Sequence, residues 1–361
     1  MNVILADERH DEGIRNLLRR MPMPGPVEIA YTREPSFFAG LSIMGRVSQV
    51  VVAEDDGRVV ATGSRSIRRV YVNGTAQDFG YLAGLRLLPS VRRGTLLARG
   101  YRYLRRLHAD GAVPAYLTTI VEHNDAAVRL LTSGRAGLPA YIDHGRCLTH
   151  AIPCKPGKAR PGRHGVRVLS GEHVPWEDLV RFMNREGARR QFYPVLEASD
   201  LGTTRLRGLR PIDFAVAVAG DEIVGSAGLW DQSAFRQNVV CGYHGPLRTA
   251  RPLLNAARRI LCRPRLPCVG ESLRMACIAF MAIKDDNPRV LAAILDYLRR
   301  TPSVDFAVGA VHERDPLAAA LVPLSRHRYN SRLYVVTWED GRGFCNALDN
   351  RMIPHLEPAT L

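Results

Sequence analysis

Lysine is nearly absent from this chain of 361 residues. Only Lys155, Lys158 and Lys284 occur, although lysine and arginine together number 50. This arginine bias is typical of a high-GC genome, which weakens the formal net charge of +15 as a binding signal. The sequence also lacks zinc-finger spacing and basic motifs interleaved with aromatic residues, so we do not expect a nucleic-acid partner.

Cysteine pairs with metal-ligand spacing are missing as well. The seven cysteines include no Cys-x-x-Cys pair, and the nearest two, Cys262 and Cys268, have no second pair beside them, so we expect reduced thiols and no metal site. No run approaches eighteen apolar residues, which argues against a transmembrane helix or membrane partner. Charges follow a four-residue apolar stretch at the N-terminus, unlike a secretory signal, so we expect a cytoplasmic location.

The length favours two domains rather than one. Residues 153–165 are rich in proline, glycine and basic side chains, which is typical of a linker. The predicted division is a first domain at 1–152, the linker, a second domain at 166–340 and a C-terminal tail at 341–361. The oligomeric state is left open.

One strand, turn and helix form the centre of the first half. Apolar residues alternate through Phe79–Leu88, which predicts a strand, whereas Thr95–Leu107 has apolar residues at three- and four-residue steps, which predicts a helix. Between them lies a basic turn at residues 91–95. Backbone N–H groups at a helix N-terminus have no partner inside the helix, so this turn is suited to hold a phosphate or pyrophosphate.

This order of strand, proline, basic glycine turn and helix resembles the acyl-coenzyme A site of the GNAT acetyltransferase superfamily. Its members carry a Gln/Arg-x-x-Gly-x-Gly/Ala loop whose amides hold the pyrophosphate, while the preceding strand pairs with the pantetheine arm. Val91 and Leu96 depart from that pattern, so Arg92 and Arg93 would take the basic role in a loop one residue shorter. The resemblance implies acetyl-CoA or another acyl-CoA as co-substrate.

A second stretch resembles the next motif of that superfamily, an Asn after the fifth strand with an Ala three residues on. Asn124 and Ala127 match it, whereas Leu131 stands where many members have a Tyr that acts as general acid. Another group or water would then protonate the leaving thiolate. The cofactor-binding residues that the resemblance implies are Leu85, Leu87, Arg92, Arg93, Gly94, Thr95, Leu96 and Asn124.

The second half repeats the order of hairpin, long strand, helix and strand found in the first. The predicted fold class is therefore α+β, with two tandem GNAT-like domains, each a mixed, mostly antiparallel sheet flanked by helices. The strand-to-helix turn of the second half carries Asp285 and Asp286 and no glycine. Because two carboxylates repel a pyrophosphate, we expect this half to be degenerate and unable to bind coenzyme A.

The predicted activity is transfer of an acetyl or other acyl group from acyl-CoA to an amine of a small molecule, by direct attack on the thioester. Such a reaction needs a deprotonated amine and a proton for the departing thiolate. The candidate catalytic residues, each as the general base, are Glu122 and His123 after the fifth strand and Tyr81 on the fourth, acting directly or through water. The alternative is a non-catalytic acyl-CoA-binding regulatory protein, which the absent Tyr at Leu131 and the altered loop favour.

Overall fold

A mixed β-sheet runs through the whole protein in the computed structural model, which describes residues 1–92, 94–135, 137–155, 157, 165–260, 264–300 and 303–361. Within these ranges the sheet has twelve strands, and most neighbours are antiparallel. Helices lie against both of its faces, so the predicted α+β class is confirmed. None of the helices formed by the described residues is long and apolar enough to cross a bilayer.

The strands are β1 (Asn2–Leu5), β2 (Val27–Thr32), β3 (Val47–Asp55), β4 (Arg58–Val72), β5 (Thr75–Leu87), β6 (Tyr116–Val121), β7 (Ala140–Pro153), β8 (Arg167–Ser170), β9 (Arg190–Gln191), β10 (Phe214–Ala219), β11 (Glu222–Trp230), β12 (Gln237–Tyr243), β13 (Met275–Ile283), β14 (Phe306–His312), β15 (His327–Thr337) and β16 (Ile353–Pro354). The helices are α1 (Asp11–Arg19), α2 (Leu96–His108), α3 (Asp125–Leu131), α4 (Trp176–Gly187), α5 (Pro246–Ile260), α6 (Pro288–Leu298), α7 (Ala318–Leu321) and α8 (Arg342–Asn346).

Short turns build the antiparallel meander of β3, β4 and β5. Asp56 and Gly57 join β3 to β4, and Asn73 and Gly74 join β4 to β5. All four have φ between 48° and 81°. A two-residue hairpin turn with both central residues left-handed matches the twist of the flanking strands, and Asn, Asp and Gly adopt that conformation most readily.

The two halves exchange their last strands at the middle of the sheet. The order across the sheet is β1-β3-β4-β5-β6-β15-β7-β14-β13-β11-β10-β8. Strand β15 of the second half pairs with β6 of the first, while β7 of the first half pairs with β14 of the second. Each half thus contributes five consecutive strands, and the next strand toward the middle of the sheet belongs to the other half. The residue boundaries predicted for two domains remain a prediction, but the sheet continues across them.

A separate two-stranded ribbon also joins the halves. Strand β2 pairs with β12 in the antiparallel register Gln237↔Thr32 to Tyr243↔Val27. The sequence patterns did not predict β12 or α5. Helix α5 buries none of its residues, and its exposed Leu253 and Ile260 blur the one-sided apolar pattern on which helix prediction depends.

Separate apolar clusters cover the two faces of the sheet. Tyr116, Ile67 and Leu82 pack with Tyr101 of α2 on one face of the first half. On the opposite face, Phe79, Tyr81 and Val70 belong to the largest cluster, which includes residues of α1 and α4. Because side chains alternate along a strand, neighbouring residues of β5 serve these two clusters in turn.

The segment at 341–361, expected from the sequence to be a tail, is part of this largest cluster. Leu348, Leu356 and Ala359 are buried in it, with Ala359 fully inaccessible. The segment also extends a small parallel pair, in which β16 lies beside β9. The end of the described chain is therefore internal to the fold.

A glycine allows the close parallel contact between β5 and β6. Gly80 pairs with Tyr116, and a Cβ atom on Gly80 would lie 2.0 Å from Cδ1 of that buried ring. Gly80→Ala should therefore lower the free energy of unfolding by about 3 kcal/mol, since overpacking a rigid core forces neighbours to shift. Urea unfolding of the purified protein measures this change.

The matched control is Gly100→Ala in α2, where an added Cβ would meet no atom within 4 Å. That substitution should raise the free energy of unfolding by about 0.5–1 kcal/mol, because alanine favours a helix more than glycine does. Equal effects of the two substitutions would contradict the packing argument at Gly80.

Candidate active site

Strands β5 and β6 begin side by side and then separate. Their parallel pairing comprises Gly80↔Tyr116 and Tyr81↔Leu117, and the hydroxyl of Thr118 donates to the carbonyl of Leu82 at 2.9 Å. Beyond this point β5 stays with β4, whereas β6 stays with β15. A wedge-shaped gap therefore opens between residues 83–87 of β5 and the end of β6. We call it the first wedge.

A bulge in β5 lies at the mouth of the first wedge. The pairing with β4 shifts between Thr62↔Arg86 and Ser64↔Ala83, so Gly84 and Leu85 form the irregular stretch. Gly84 has φ of 66°, and both residues are exposed. A bulge turns backbone groups out of the regular ladder, so it can present an amide toward a bound molecule.

A groove lies between the N-terminus of α2 and helix α3. Its cavity is about 460 Å³. Thr95 is the N-cap of α2, and its side chain makes no capping hydrogen bond. The first amides of α2 thus have no side-chain cap, and they carry the positive end of the helix dipole. The residues that line the groove are Gly94, Leu97, Ala98, Ala126, Arg129, Leu130, Ser133, Arg135 and Leu138.

The predicted cofactor-binding residues are distributed around the first wedge and this groove. Leu85 lies at the bulge, and Gly94 lines the groove. The Nε of Arg92 donates to the carbonyl of Leu87 at 3.1 Å. Leu96 is buried in an apolar cluster beside Val91.

Two more of these predictions are Asn124 and Arg93. The side chain of Asn124 caps α3, where its Oδ1 accepts from the amide of Ala127 at 3.3 Å. Arg93 lies outside the described residues. The cofactor role of every residue in the set remains a prediction.

The three candidate catalytic side chains do not come together. Tyr81 lies on the face of the sheet that carries the largest core, at the last paired position before the first wedge opens. It is 3% exposed, and burial raises the pKa of its hydroxyl, although the nearby Arg68 guanidinium partly opposes that shift. The Arg68 Cζ lies 4.4 Å from the centroid of the Tyr81 ring.

Glu122 belongs to an ion-pair network at the end of β6, away from Tyr81. Its Oε2 accepts from Nδ2 of Asn330 at 2.9 Å, and its Oε1 lies 3.7 Å from Nη1 of Arg146. Arg146 also contacts Glu313, the corresponding residue of the second half, with 2.8 Å between Nε and Oε2. His123 is exposed beside this network.

The second half has its own wedge, and the chain itself fills it. Strands β13 and β14 pair in parallel only from Met275↔Phe306 to Cys277↔Val308. A bulge follows in β13, where Phe280 has φ of 51°. The N–H of Phe280 donates to Oε2 of Glu357 at 2.8 Å, and Glu357 is 3% exposed. The residue that matches the exposed bulge of β5 is thus closed off by the C-terminal segment.

The acidic turn before α6 is also in contact with arginine side chains of the same chain. Asp286 accepts from Nη2 of Arg190 at 2.5 Å and lies 3.4 Å from Nη2 of Arg189. Asn287 caps α6, and Pro288 occupies its first turn. These contacts agree with the expectation that only the first half binds coenzyme A, which remains a prediction.

The groove residues that α3 and the following loop contribute were not predicted from the sequence. Ala126, Arg129, Leu130 and Ser133 recur at steps of three, one and three residues, which places them along one side of a helix. That spacing was available in the sequence. Its partner face on α2 is distant in the chain, so the groove itself emerges only in the tertiary structure.

No protein-family model and no curated protein matches this chain. Solved structures resemble it. Saccharomyces cerevisiae N-myristoyltransferase with bound myristoyl-CoA gives a TM-score of 0.58 at 12% identity, covering 93% of this chain and 78% of that one. A second structure of that protein with myristoyl-CoA gives 0.57 at 11% identity, covering 93% and 82%. A GCN5-related N-acetyltransferase from Sphaerobacter thermophilus gives 0.51 at 14% identity, covering 87% and 83%.

These likenesses extend over both halves of the chain. Together with the strand order and the wedge of β5 and β6, they confirm the fold that the two sequence motifs implied. At such low identity they bear on the fold and leave the activity to be argued from the site.

The hydrogen bond between Glu357 and Phe280 in the wedge of the second half, called the second wedge below, yields a stability prediction. In addition to Phe280 N–H, the carboxylate of Glu357 accepts from the amide of Ala359 at 3.1 Å. Glu357→Gln replaces one acceptor oxygen by an NH₂ group, which leaves a buried N–H without a partner. The free energy of unfolding should fall by about 1–3 kcal/mol, measured by urea unfolding.

The exposed Glu8 provides a control of the same chemistry. Glu8→Gln should change the free energy of unfolding by no more than about 0.5 kcal/mol. If Glu357→Gln were as silent as this control, the carboxylate would not hold the second wedge closed.

Proposed function

We propose that this chain, which has the fold of the GNAT superfamily, is an N-acyltransferase that uses acyl-CoA as donor and the amine of a small molecule as acceptor. The observation that carries the proposal is the first wedge together with the groove between α2 and α3, whose lining begins at Gly94, nine residues after Leu85 of the bulge. The wedge suits an extended pantetheine arm, because its strands leave backbone groups without a neighbouring strand. The groove suits the phosphates at the other end of the same molecule.

Charge supports this orientation of the donor. Arg129 and Arg135 line the groove beside the N-terminus of α2. Guanidinium groups and helix N-termini both favour phosphate oxygens. Among the described residues that line the groove, none is an aspartate or a glutamate. The adenosine and pyrophosphate portion would lie there, with the thioester at the bulge of Gly84.

The chemical step joins the acceptor nitrogen to the thioester carbon and breaks the carbon–sulfur bond. The nitrogen attacks as a free amine, its extra proton passes to solvent, and the departing thiolate takes up a proton. Tyr81 suits the second role, since a tyrosine hydroxyl is protonated at neutral pH and this residue holds the last paired position before the first wedge opens. For the same reason it is a poor general base, so we assign Tyr81 as the proton donor.

The acyl group can be acetyl or longer. The solved structures that resemble the chain include one protein with myristoyl-CoA and one N-acetyltransferase, which supports acyl-CoA as the class of donor without selecting a chain length. The exposed bulge of β5 leaves the mouth of the wedge open to solvent. Comparison of acetyl-CoA with a long-chain acyl-CoA as donor resolves the choice.

A non-catalytic acyl-CoA-binding protein is the second candidate. It is favoured by the separation of Glu122 from Tyr81, and by Leu131, which is buried and carries no proton to donate. Binding of coenzyme A without thiol release for any amine in a broad panel would select this candidate over the enzyme.

Coenzyme A binding tests the groove directly. Arg129→Glu replaces a positive charge on the groove wall by a negative one, so the dissociation constant for coenzyme A should rise about tenfold or more. Isothermal titration calorimetry with acetyl-CoA and with free coenzyme A provides the measurement. The control is Arg106→Glu, which makes the same charge change at an exposed position of α2 outside the groove.

Unchanged affinity in Arg129→Glu, or an equal loss in the control, would contradict the assignment of the groove. Absence of binding to the unaltered protein would remove the proposed donor and with it both candidate functions.

Loss of the Tyr81 hydroxyl should slow the reaction without weakening donor binding. Tyr81→Phe keeps the ring beneath Arg68 and removes only the proton donor, so kcat should fall about a hundredfold while KM for acyl-CoA stays within about twofold. Thiol release with a reactive amine gives both constants. Tyr103→Phe, a partly exposed tyrosine of α2, is the control. Equal kcat for Tyr81→Phe and the unaltered protein would exclude Tyr81 as the donor of the proton.

A further inference from the structure

Three arginines lie buried together on the Tyr81 face of the molecule. Arg33, Arg68 and Arg236 are 8%, 8% and 6% exposed, which is rare for guanidinium groups without a carboxylate partner. Among the described residues, no aspartate or glutamate forms an ion pair with any of the three. We call them the arginine cluster.

Two members of the arginine cluster come from the ribbon of β2 and β12. Arg33 follows β2 and Arg236 precedes β12, and their chain neighbours Thr32 and Gln237 are the last paired residues of the ribbon. The side-chain amide of Gln237 fixes the chain here: its oxygen accepts from Glu34 N–H and its nitrogen donates to Glu34 C=O, both at 2.9 Å. Two like charges held close together repel each other and destabilise the folded state.

The third member, Arg68, projects from β4 toward the C-terminal segment. Its Nη1 and Nη2 donate to the hydroxyl and carbonyl of Thr360, both at 2.9 Å. Arg236 also holds this segment, because its Nη1 donates to the carbonyl of Ala359 at 3.0 Å. These partners are neutral groups, so they accept hydrogen bonds without neutralising the charges. The buried Glu357 carboxylate partly opposes the lowering of the pKa of Arg68, but it forms no ion pair with any of the three arginines.

Several donors of the arginine cluster have no partner in the described part of the protein. These atoms are Nη1 of Arg33, Nε of Arg68, and Nε and Nη2 of Arg236. A buried donor left without an acceptor destabilises the folded state, and an unpaired buried charge does so more strongly. Burial and the neighbouring Arg236 lower the pKa of Arg33 to about 9, and burial lowers that of Arg68 to about 10, so both remain charged at neutral pH.

Tyrosines surround the cluster. Arg68 stacks on the ring of Tyr81, and the Arg33 Cζ lies 5.8 Å from the centroid of the Tyr31 ring. Tyr329, which is 56% exposed, lies near both tyrosines, since they influence its hydroxyl. The arginine cluster is therefore buried close to a tyrosine that solvent reaches.

We propose that the arginine cluster binds an anionic group of the acyl acceptor, so that the acceptor is an amine that also carries a carboxylate or a phosphate. Guanidinium groups bind both anions through paired N–H donors, and the unpartnered donors match the several acceptor sites of one such group. This inference rests on the proposed acyl transfer, while the anion site itself does not depend on it.

The position of the cluster separates this anion from the phosphates of coenzyme A. None of its arginines lines the groove between α2 and α3. Arg68 lies beside Tyr81 instead, where the first wedge begins. An acceptor anchored there would direct its amine toward the thioester. The positive surroundings also disfavour a protonated amine, so they promote the nucleophilic free base.

The test measures anion binding without acyl-CoA. The melting temperature and the calorimetric binding isotherm are measured with inorganic phosphate, glycine and phosphoethanolamine. Glycinamide and ethanolamine, which lack the anionic group, serve as matched analogues, and chloride keeps the ionic strength constant. We expect saturable stabilisation by at least one anionic probe and none by its analogue. Arg33→Met keeps the apolar stem and removes the unpartnered charge, so it should raise the melting temperature of the free protein and weaken anion binding about tenfold or more.

Arg289→Gln, an exposed arginine of α6, should leave both properties unchanged. No saturable response of the unaltered protein to any probe would mean that the cluster is neutralised within the chain, and it would overturn the site. A full response retained in Arg33→Met would overturn it as well.

Turnover then identifies the source of the anion. Faster thiol release with glycine or phosphoethanolamine than with the matched analogues, lost in Arg33→Met, supports an anionic acceptor. A preference for succinyl-CoA over acetyl-CoA that depends on Arg33 would overturn the acceptor assignment in favour of an anionic acyl group. Anion binding without any turnover would refute the proposed acyl transfer and leave the anion site standing.

Discussion

The side-by-side pairing of β7 and β15 holds the whole architecture together. Their antiparallel ladder runs from His327↔Ala151 to Thr337↔Ala140, and each strand also completes the sheet of the other half. Backbone hydrogen bonds therefore cross between the halves on three neighbouring ladders. Separation of the halves would expose these edges to solvent, and unpaired strand edges are costly and prone to aggregation. The two wedges thus lie in one rigid sheet at a fixed spacing.

Within this nearly symmetric frame, the two wedges differ in what fills them. Gly84 and Leu85 in the first are exposed, whereas the amide of Phe280 in the second is bonded to Glu357. The same backbone irregularity thus serves as an open mouth in one half and as an anchor for the C-terminal segment in the other. This difference gives a physical basis for one donor site in a duplicated fold, independent of the carboxylates at Asp285 and Asp286.

The arginine cluster shows a conflict between stability and binding. Its charges are buried, repel one another and lack carboxylate partners, so the free protein is less stable than it would be with apolar side chains at those positions. Such strain persists where a ligand relieves it, which is the usual pattern at functional sites. The cluster also holds Ala359 and Thr360, so the segment that closes the second wedge borders the anion site as well.

The sequence by itself determined the local elements and the fold class. The alternation in Phe79–Leu88 and the Asp56-Gly57 and Asn73-Gly74 turns depend on residues close in the chain, and the structure contains each of them. Only the tertiary structure decided the strand exchange, the filled second wedge and the meeting of Arg33 with Arg68 and Arg236. These contacts join residues 35 to 220 positions apart, and periodicity and spacing carry no information about which distant segments meet.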